Sequence, residues 1–313
     1  MDFTGGLTFT GGLSVTPQPP SPGAYAIFGY GDTDAGTVST TNLVSNTGVV
    51  AATVTGVGTT RNQLAACGYG TDKAIFGYGY TAGAVSMTNK VSNTGVVATD
   101  TTGVGTARYR LAATSYGTDK GIFGYGLGAG LFSLTNLVSN TGVVGNDVTG
   151  VGTARVDLAA ATYGTDKAIF GYGSVSGTAT AITNKVSNTG VVATDTTGVG
   201  TARYNPAAAG YGTDKAIFGY GVNSSGTDVS ITNLVSNTGV VSSDTTGVGT
   251  ARSYLAAATY GVDKGIFGYG SASSGLSRKS MTNLVSNTGV VGNDVTGVGT
   301  AKNYLAAASY GTT

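Results

Sequence analysis

Residues Tyr69 to Gly79 read Tyr-Gly-Thr-Asp-Lys-Ala-Ile-Phe-Gly-Tyr-Gly, and this stretch decides the fold because it recurs along the chain. Its Ile-Phe-Gly-Tyr-Gly part appears six times, at spacings of 48, 47, 47, 48 and 49 residues. The copies centre on Phe28, Phe76, Phe123, Phe170, Phe218 and Phe267. A repeat of this length predicts one repetitive body, not a series of unrelated domains.

Each repeat contains four short segments with the composition of strands. In the third copy they span residues 108–116, 120–126, 133–139 and 143–148. Val, Ile, Thr, Phe and Tyr are frequent in them, and Gly, Asn and Asp separate them, which is typical of short antiparallel strands. No segment keeps a period of 3.6 residues, so we expect almost no helix.

Alternation along residues 73–79 predicts how the second strand packs. Phe76 and Tyr78 should share one face and Gly77 should lie on the other. Both faces carry apolar or small side chains, so both should be covered. Sheets stacked in a ring would meet this need, with the aromatic face of one sheet against the glycine-bearing face of the next. The alanine-rich first strands should then converge on the axis.

The phase of the repeats predicts how such a ring closes. The chain enters at residue 24 with a second strand, and residues 302–310 supply one more first strand at the other end. The sequence therefore predicts an all-β fold, a six-bladed β-propeller of four-stranded antiparallel blades in which the C-terminal strand completes the first blade. The alternative is an open β-solenoid, which would need capping units instead of complementary ends.

Two regions follow from this phase: an extended N-terminal arm with a Pro-rich spacer at 1–23, and the propeller at 24–313. Four of the five prolines lie at positions 17–22 and predict a stiff spacer. The arm carries apolar side chains at odd positions, as in an extended segment with one apolar edge. We expect it to dock on the body or on another chain, with these candidate anchor residues: Phe3, Leu7, Phe9 and Leu13.

The composition argues against several classes of function. The net charge is +1 and only 10% of residues are charged, so we expect no nucleic-acid partner. All 15 acidic residues are Asp, and Glu, His and Trp are absent. Acid–base and zinc chemistry therefore have few of their usual side chains, and we predict no enzymatic activity and no cofactor.

Other absences concern the membrane and the single cysteine. No run approaches 18 apolar residues, and the N-terminus lacks a basic region followed by an apolar core, so we expect neither a transmembrane segment nor a secretory signal peptide.

Cys67 occupies a position that other copies fill with Thr or Ala. It is therefore interpreted as a small packed side chain.

The order of motifs over residues 24–313 resembles the kelch repeat. Thr-Ala-Arg is followed by a small apolar strand, a turn, Lys-Ala-Ile-Phe-Gly-Tyr-Gly, a loop and Asn-Leu-Val-Ser-Asn-Thr-Gly. The family ends its second strand in Gly-Gly, where this chain has Gly-Tyr-Gly. The Trp typical of the family's fourth strand is replaced by Val pairs such as Val96 and Val97. The resemblance implies a fold and no active site.

The general residue pattern of the repeat, together with the Thr-Gly-Gly arm, is also similar to that of small structural proteins of tailed bacteriophages, including propeller-type tail and fibre components. This resemblance implies a non-enzymatic virion protein that belongs to a larger assembly. Its partners would be other virion proteins, bound through the arm, and a host surface or glycan. We expect no insertion into a membrane.

A recognition face is predicted where the copies differ most. The loops after Phe-Gly-Tyr-Gly vary in length and composition, whereas the turns at the opposite ends of the strands hardly change. Neutral drift of these loops is the alternative. The candidate contacts on this face are a basic residue in each copy and four side chains in the loops: Arg61, Arg108, Arg155, Arg203, Arg252 and Lys302, with Tyr80, Phe132, Arg278 and Lys279.

The role of the basic residues and two alternative functions stay open. The basic residues could hold an anionic ligand, or each could pair with a neighbouring Asp such as Asp100 and carry structure alone. A lectin with six sugar sites between blades is the main alternative function, although Trp and Glu are missing. A hydrolase would need close carboxylate pairs in the central channel, where alanines are expected.

Overall fold

The computed structural model describes residues 25–273 and 277–311, and within these ranges all regular structure is β. The first half contains β1 (Tyr25–Gly29), β2 (Asp32–Thr33), β3 (Gly36–Thr37), β4 (Thr41–Val44), β5 (Ala65–Tyr69), β6 (Lys73–Gly77), β7 (Thr88–Val91), β8 (Ala112–Tyr116), β9 (Lys120–Leu127), β10 (Leu131–Val138), β11 (Ala159–Tyr163) and β12 (Lys167–Gly171). The second half contains β13 (Ser174–Val175), β14 (Thr178–Ala179), β15 (Thr183–Val186), β16 (Arg203–Tyr204), β17 (Ala207–Tyr211), β18 (Lys215–Gly219), β19 (Val222–Asn223), β20 (Thr232–Val235), β21 (Ala256–Tyr260), β22 (Lys264–Gly268), β23 (Ser271–Ala272), β24 (Ser277–Arg278), β25 (Thr282–Val285) and β26 (Ala306–Tyr310). The predicted all-β class is confirmed; the arm and its candidate anchor residues lie outside the described residues.

Each repeat contributes one three-stranded antiparallel sheet. An alanine-rich strand lies at one edge, the Ile-Phe-Gly strand is central, and the Thr-Asn-x-Val strand lies at the other edge, as in β5-β6-β7. The predicted fourth strand is reduced to a segment held by two isolated bridges, for example Val138 to Val144 and Thr135 to Val148. This outer segment is mostly exposed, so little packing supports a continuous ladder there.

The sheet of the first repeat is assembled from both ends of the described chain. Strand β26 pairs antiparallel with β1, with Tyr25 opposite Tyr310 and Phe28 opposite Ala307. On its other edge β1 pairs with β4. The predicted completion of the first sheet by the C-terminal strand is therefore present in the described residues.

A phenylalanine of each repeat packs against a glycine of the repeat before it. A Cβ atom built on any of these glycines would lie 2.7–2.9 Å from Cζ of the phenylalanine, so only glycine leaves room for the ring. The pairs are Phe76 on Gly29, Phe123 on Gly77, Phe170 on Gly124, Phe218 on Gly171, Phe267 on Gly219 and Phe28 on Gly268. The last pair joins the first repeat to the sixth.

The tyrosine of Phe-Gly-Tyr-Gly lies on the face opposite to the one predicted. Tyr78 has a φ of +62°, and this left-handed conformation interrupts the alternation of the strand. Its ring packs 5.1 Å from that of Phe123 in the next repeat, while Phe76 packs against Tyr30 of the repeat before. Each sheet thus has large side chains on both faces, all fully buried.

Candidate functional site

Each repeat buries one basic side chain in a network of hydrogen bonds. Arg252 donates from Nε to the carbonyl of Tyr269 at 2.8 Å and from Nη2 to Oδ1 of Asn283 at 2.7 Å. Its Nη1 donates to the carbonyl of Thr250 at 3.2 Å. The guanidinium also lies 4.4 Å from the centre of the Tyr220 ring of the preceding repeat. The residue therefore ties two neighbouring repeats together.

An aspartate completes the network. Asp294 accepts hydrogen bonds from N and Oγ1 of Thr250 and from Nδ2 of Asn283, and it lies 3.9 Å from Arg252. Burial alone would raise the pKa of Asp294, but the hydrogen bonds and the charge of Arg252 outweigh it and lower this pKa. The carboxylate is thus held ionised beside the arginine.

The predicted basic ring is not accessible to a ligand. All six members are 0% exposed, because their hydrogen-bond acceptors lie inside the sheets and a tyrosine covers each of them: Arg61, Arg108, Arg155, Arg203, Arg252 and Lys302. Arg61 lies 3.8 Å from Asp100, and Arg108 lies 3.5 Å from Asp147. Of the two readings left open by the sequence, the structural pairing of Asp with Arg is the one these distances favour.

The network is altered where the last repeat meets the first. Lys302 replaces the arginine and donates to Oδ1 of Asn42 at 2.9 Å and to the carbonyl of Thr40 at 3.2 Å. Thr53 replaces the aspartate and accepts only from Asn42, at 3.2 Å. The junction therefore has a buried ammonium without the carboxylate that the arginines have.

Restoring the aspartate and arginine at this junction should stabilise the protein. Thr53→Asp would accept from Thr300 and Asn42 as Asp294 does from Thr250 and Asn283, and with Lys302→Arg we expect about 1–2 kcal/mol of added unfolding free energy. Urea denaturation measures it. The matched control is Asp294→Thr with Arg252→Lys, which installs the junction pair inside the chain and should cost a similar amount. A loss of stability in Thr53→Asp with Lys302→Arg would contradict the view that the junction is a weaker form of the Arg252–Asp294 network.

The contribution of Lys302 to stability should rise with pH. Burial lowers the pKa of this ammonium from 10.5 to about 8. Between about pH 8 and pH 10 the unfolded chain keeps a proton that the folded protein has released, so this contribution to the unfolding free energy should increase, by at most ~1.4 kcal/mol per pH unit. The Cys67 thiol and the buried tyrosines, whose pKa values are raised by burial, act in the opposite direction. The test is therefore the difference in unfolding free energy between the wild type and Lys302→Arg, measured by denaturation at stepped pH. This difference should shift in favour of the wild type as the pH rises, and a constant difference would contradict the lowered pKa.

The variable loops lie at the same end of the sheets as these networks. Each loop forms a bridge to the residue that follows the buried basic side chain, as in Tyr80 to Asn62 and Leu127 to Tyr109. We call this end the variable face. The opposite end carries the Gly-Thr-Asp-Lys and Ser-Asn-Thr-Gly turns, and we call it the fixed face. The predicted separation of variable loops from invariant turns is present in the described residues.

Six residues that sequence analysis missed converge at the centre of the variable face. We call them the axial ring: Gln63, Arg110, Asp157, Asn205, Tyr254 and Tyr304. Each stands two residues after a buried basic side chain and has a φ between 52° and 56°. Backbone hydrogen bonds of 2.8–3.0 Å link neighbouring members, with Tyr304 preceding Gln63. In each, an N–H group donates to the carbonyl of the preceding member, and the donors are Gln63, Arg110, Asp157, Asn205 and Tyr304. Equivalent positions of six repeats thus meet in one place.

The axial ring carries a different chemistry at almost every position. Arg110 forms a bidentate ion pair with Asp157, with Nε 2.7 Å from Oδ1. Burial opposes the charge of Arg110, but Asp157 outweighs it and raises the pKa of the guanidinium. On the other side the rings of Tyr254 and Tyr304 lie 4.2 Å apart. A pocket of about 80 Å³ lies inside the ring, above buried residues such as Leu64 and Leu255.

The four predicted loop residues lie on the variable face and are half-buried. Tyr80 packs with its ring 5.0 Å from that of Tyr109, and Phe132 lies in β10. Arg278 donates to Oδ1 of Asp34 at 2.7 Å, which joins a loop of the sixth repeat to one of the first. Lys279 forms a bridge with Lys302.

Tyrosine is concentrated on this face. Twelve of the 18 tyrosines belong to the repeated motif, and five of the other six lie in the axial ring, in a variable loop, or directly after a buried arginine: Tyr80, Tyr109, Tyr204, Tyr254 and Tyr304. The signal that could have revealed the ring was present in the sequence, since two adjacent positions read Asn-Gln, Tyr-Arg, Val-Asp, Tyr-Asn, Ser-Tyr and Asn-Tyr in otherwise similar repeats.

The fixed face carries repeated turns and little variation. Each lysine of Gly-Thr-Asp-Lys pairs with the aspartate before it, as in Lys73 to Asp72 at 2.6 Å. These lysines are about 42–45% exposed, so the pairs contribute little to stability. Cys67 lies nearby in β5, is 2% exposed, and burial raises the pKa of its thiol to about 12. It is the packed side chain that the sequence predicts.

Comparisons with known proteins add no relative. A scan against models of protein families and a search of curated proteins both gave no match to this chain. In residues 25–273 and 277–311 no helix is long and apolar enough to cross a membrane. Within the same residues no group of three or more His, Cys, Asp or Glu side chains could hold a metal ion.

Proposed function

We propose that this chain is a kelch-like six-bladed β-propeller that acts as a non-enzymatic attachment protein, and that its axial ring is the centre of one binding site. The propeller is supported by the phenylalanine–glycine contacts, which run from each repeat to the next and include Phe28 on Gly268. It is also supported by the pairing of β26 with β1. In this arrangement the six axial positions are equivalent in fold and different in chemistry.

The observation that carries the function is the contrast between the axial ring and its surroundings. Positions that only shape the repeat keep their residue in every copy, as the Phe-Gly-Tyr-Gly segments do. The axial ring instead presents an amide, an ion pair and two tyrosines around one pocket. Tyrosine-rich loops on a rigid scaffold are typical of protein recognition surfaces. One asymmetric site suits a single partner better than six identical ligands.

We further propose, from the resemblance to tailed-bacteriophage proteins, that the partner is a host surface and that the protein is part of a virion. The arm at residues 1–23 remains the proposed anchor to other virion proteins. The lectin alternative differs in stoichiometry, since it requires up to six equivalent sugar sites per chain.

The test replaces axial residues by residues found in other copies. Tyr254→Asn with Tyr304→Gln keeps side chains that the ring tolerates at this φ and should weaken saturable binding to bacterial surfaces by roughly 30-fold or more. Thr118→Val with Thr165→Val is the matched control on the fixed face, where Val262 already occupies the equivalent position, and it should bind as the wild type does. Equal binding by both variants would place the site elsewhere, and several equivalent sites on a glycan array would favour the lectin.

A further inference from the structure

A second cavity opens at the fixed face and is not part of the axial ring. It has a volume of about 370 Å³ and is lined by the inner strands of all six sheets. Its wall is made of small side chains, such as Ala113, Ala160 and Ala257, and its rim of turn residues such as Thr118 and Thr165, which are exposed. The volume exceeds the roughly 300 Å³ at which ligand pockets begin. We call this cavity the channel.

The rim of the channel is a ring of turns with one interruption. Successive turns are linked by backbone hydrogen bonds, such as Gly70 N to the Asp119 carbonyl and Gly117 N to the Asp166 carbonyl, at 2.7–2.8 Å. At the sixth position no turn joins the two strands. There Tyr25 pairs with Tyr310 in the register that Lys73 has with Tyr69. Tyr25 therefore marks the point at which the described chain enters the rim.

The segment that precedes residue 25 thus starts at the mouth of the channel. A Pro-rich segment of eight residues, the length of 17–24, can span ~25 Å at about 3.1 Å per residue. An inner strand of five residues is roughly 16 Å long. The spacer is therefore long enough for the arm to turn back over the rim and reach into the channel.

Residues 3–16 match the channel in chemistry. They contain no charged residue, and they combine Phe3, Leu7, Phe9 and Leu13 with two Gly-Gly pairs that keep the segment slender. The channel is also without an unpaired lysine among its lining residues, because Lys73 and Lys215 are paired with Asp72 and Asp214. A neutral, partly apolar segment is what such a wall would accept.

We propose that a part of residues 1–16 that includes Leu7 binds in the channel of its own chain. Attachment at the rim gives this segment an effective concentration in the millimolar range, which a second copy or a free peptide does not have at ordinary protein concentrations. The proposal goes beyond the attachment function: it assigns the apolar anchor side chains a binding site in the free subunit, from which they would be released on assembly.

Cysteine crosslinking in the full chain tests this proposal. In a Cys67→Ala background, which four other repeats already have at this position, Leu7→Cys is combined with Ala160→Cys in the channel wall. A second variant uses Ala257→Cys, in case one wall position disturbs folding. The control places the second cysteine at Ala51, an exposed residue of an outer segment. A short bis-maleimide is the probe, and products are separated as monomer or dimer and mapped by mass spectrometry.

We expect an intramolecular crosslink at both wall positions, at least tenfold faster than with Ala51→Cys. Crosslinking only between chains would overturn the choice of the protein's own arm, and crosslinking no faster than in the control would overturn the site. Both readouts use the isolated subunit without a partner. Failure of the axial-ring experiment therefore leaves this result unaffected, and the reverse also holds.

Discussion

Truncation of Phe28 to alanine should lower the free energy of unfolding by about 3–5 kcal/mol, the range for a large aromatic side chain in a core. The ring is 0% exposed, rests on Gly268 of the sixth repeat, and lies 5.2 Å from the ring of Tyr269. Loss of these contacts leaves a cavity between the first and last repeats.

The matched control is Phe123→Ala, which removes the equivalent ring between two internal repeats. Phe123 rests on Gly77 and is also 0% exposed. In a closed arrangement the two truncations should cost the same within about 1 kcal/mol. In an open stack Phe28 would face solvent, so its truncation would cost much less. Urea denaturation followed by circular dichroism distinguishes these results.

Replacement of Arg252 by alanine should cost about 3–5 kcal/mol, as expected when one partner of a buried charged network is removed. The variant would leave the Asn283 Oδ1 and the carbonyls of Thr250 and Tyr269 without their donor. It would also leave Asp294 without its nearest positive charge.

A second variant shows whether the loss of stability in Arg252→Ala comes from the missing positive charge and its hydrogen bonds. Arg252→Lys with Asp294→Thr reproduces the natural junction of Lys302 with Thr53 and should cost less than half as much as Arg252→Ala. Chemical denaturation of both variants gives the comparison. If Arg252→Ala cost under 1 kcal/mol, the arginine would not be a structural element of the repeat interface.

Much of the fold could be predicted because the same strand and turn pattern occurs in six repeats. The Gly-Thr-Asp and Asn-Thr-Gly turns mark strand ends, and the alternation of Phe76 with Gly77 gave the packing of one sheet on the next. The position of Tyr78 could not be predicted from alternation, because its left-handed φ reverses the face on which its side chain lies. Only the three-dimensional path of the backbone reveals this.

The candidate site was harder to predict for two physical reasons. The basic residues looked like a surface ring because charge usually lies outside, yet a buried carbonyl, an asparagine and a tyrosine ring are the partners of Arg61 inside the protein. The axial ring is spread over six repeats, about 48 residues apart. Its members come together only in the folded chain, where backbone hydrogen bonds link these equivalent positions, and their separation along the sequence gives no sign of it.

One measurement tests most directly whether the ends of the repetitive body meet. Tyr25 and Tyr310 are opposite each other in an antiparallel pair, a separation that a disulfide can span. In a Cys67→Ala background, Tyr25→Cys with Tyr310→Cys should form one intramolecular disulfide on mild oxidation and raise the melting temperature. Two free thiols, or disulfides only between chains, would contradict the ring and with it the axial site.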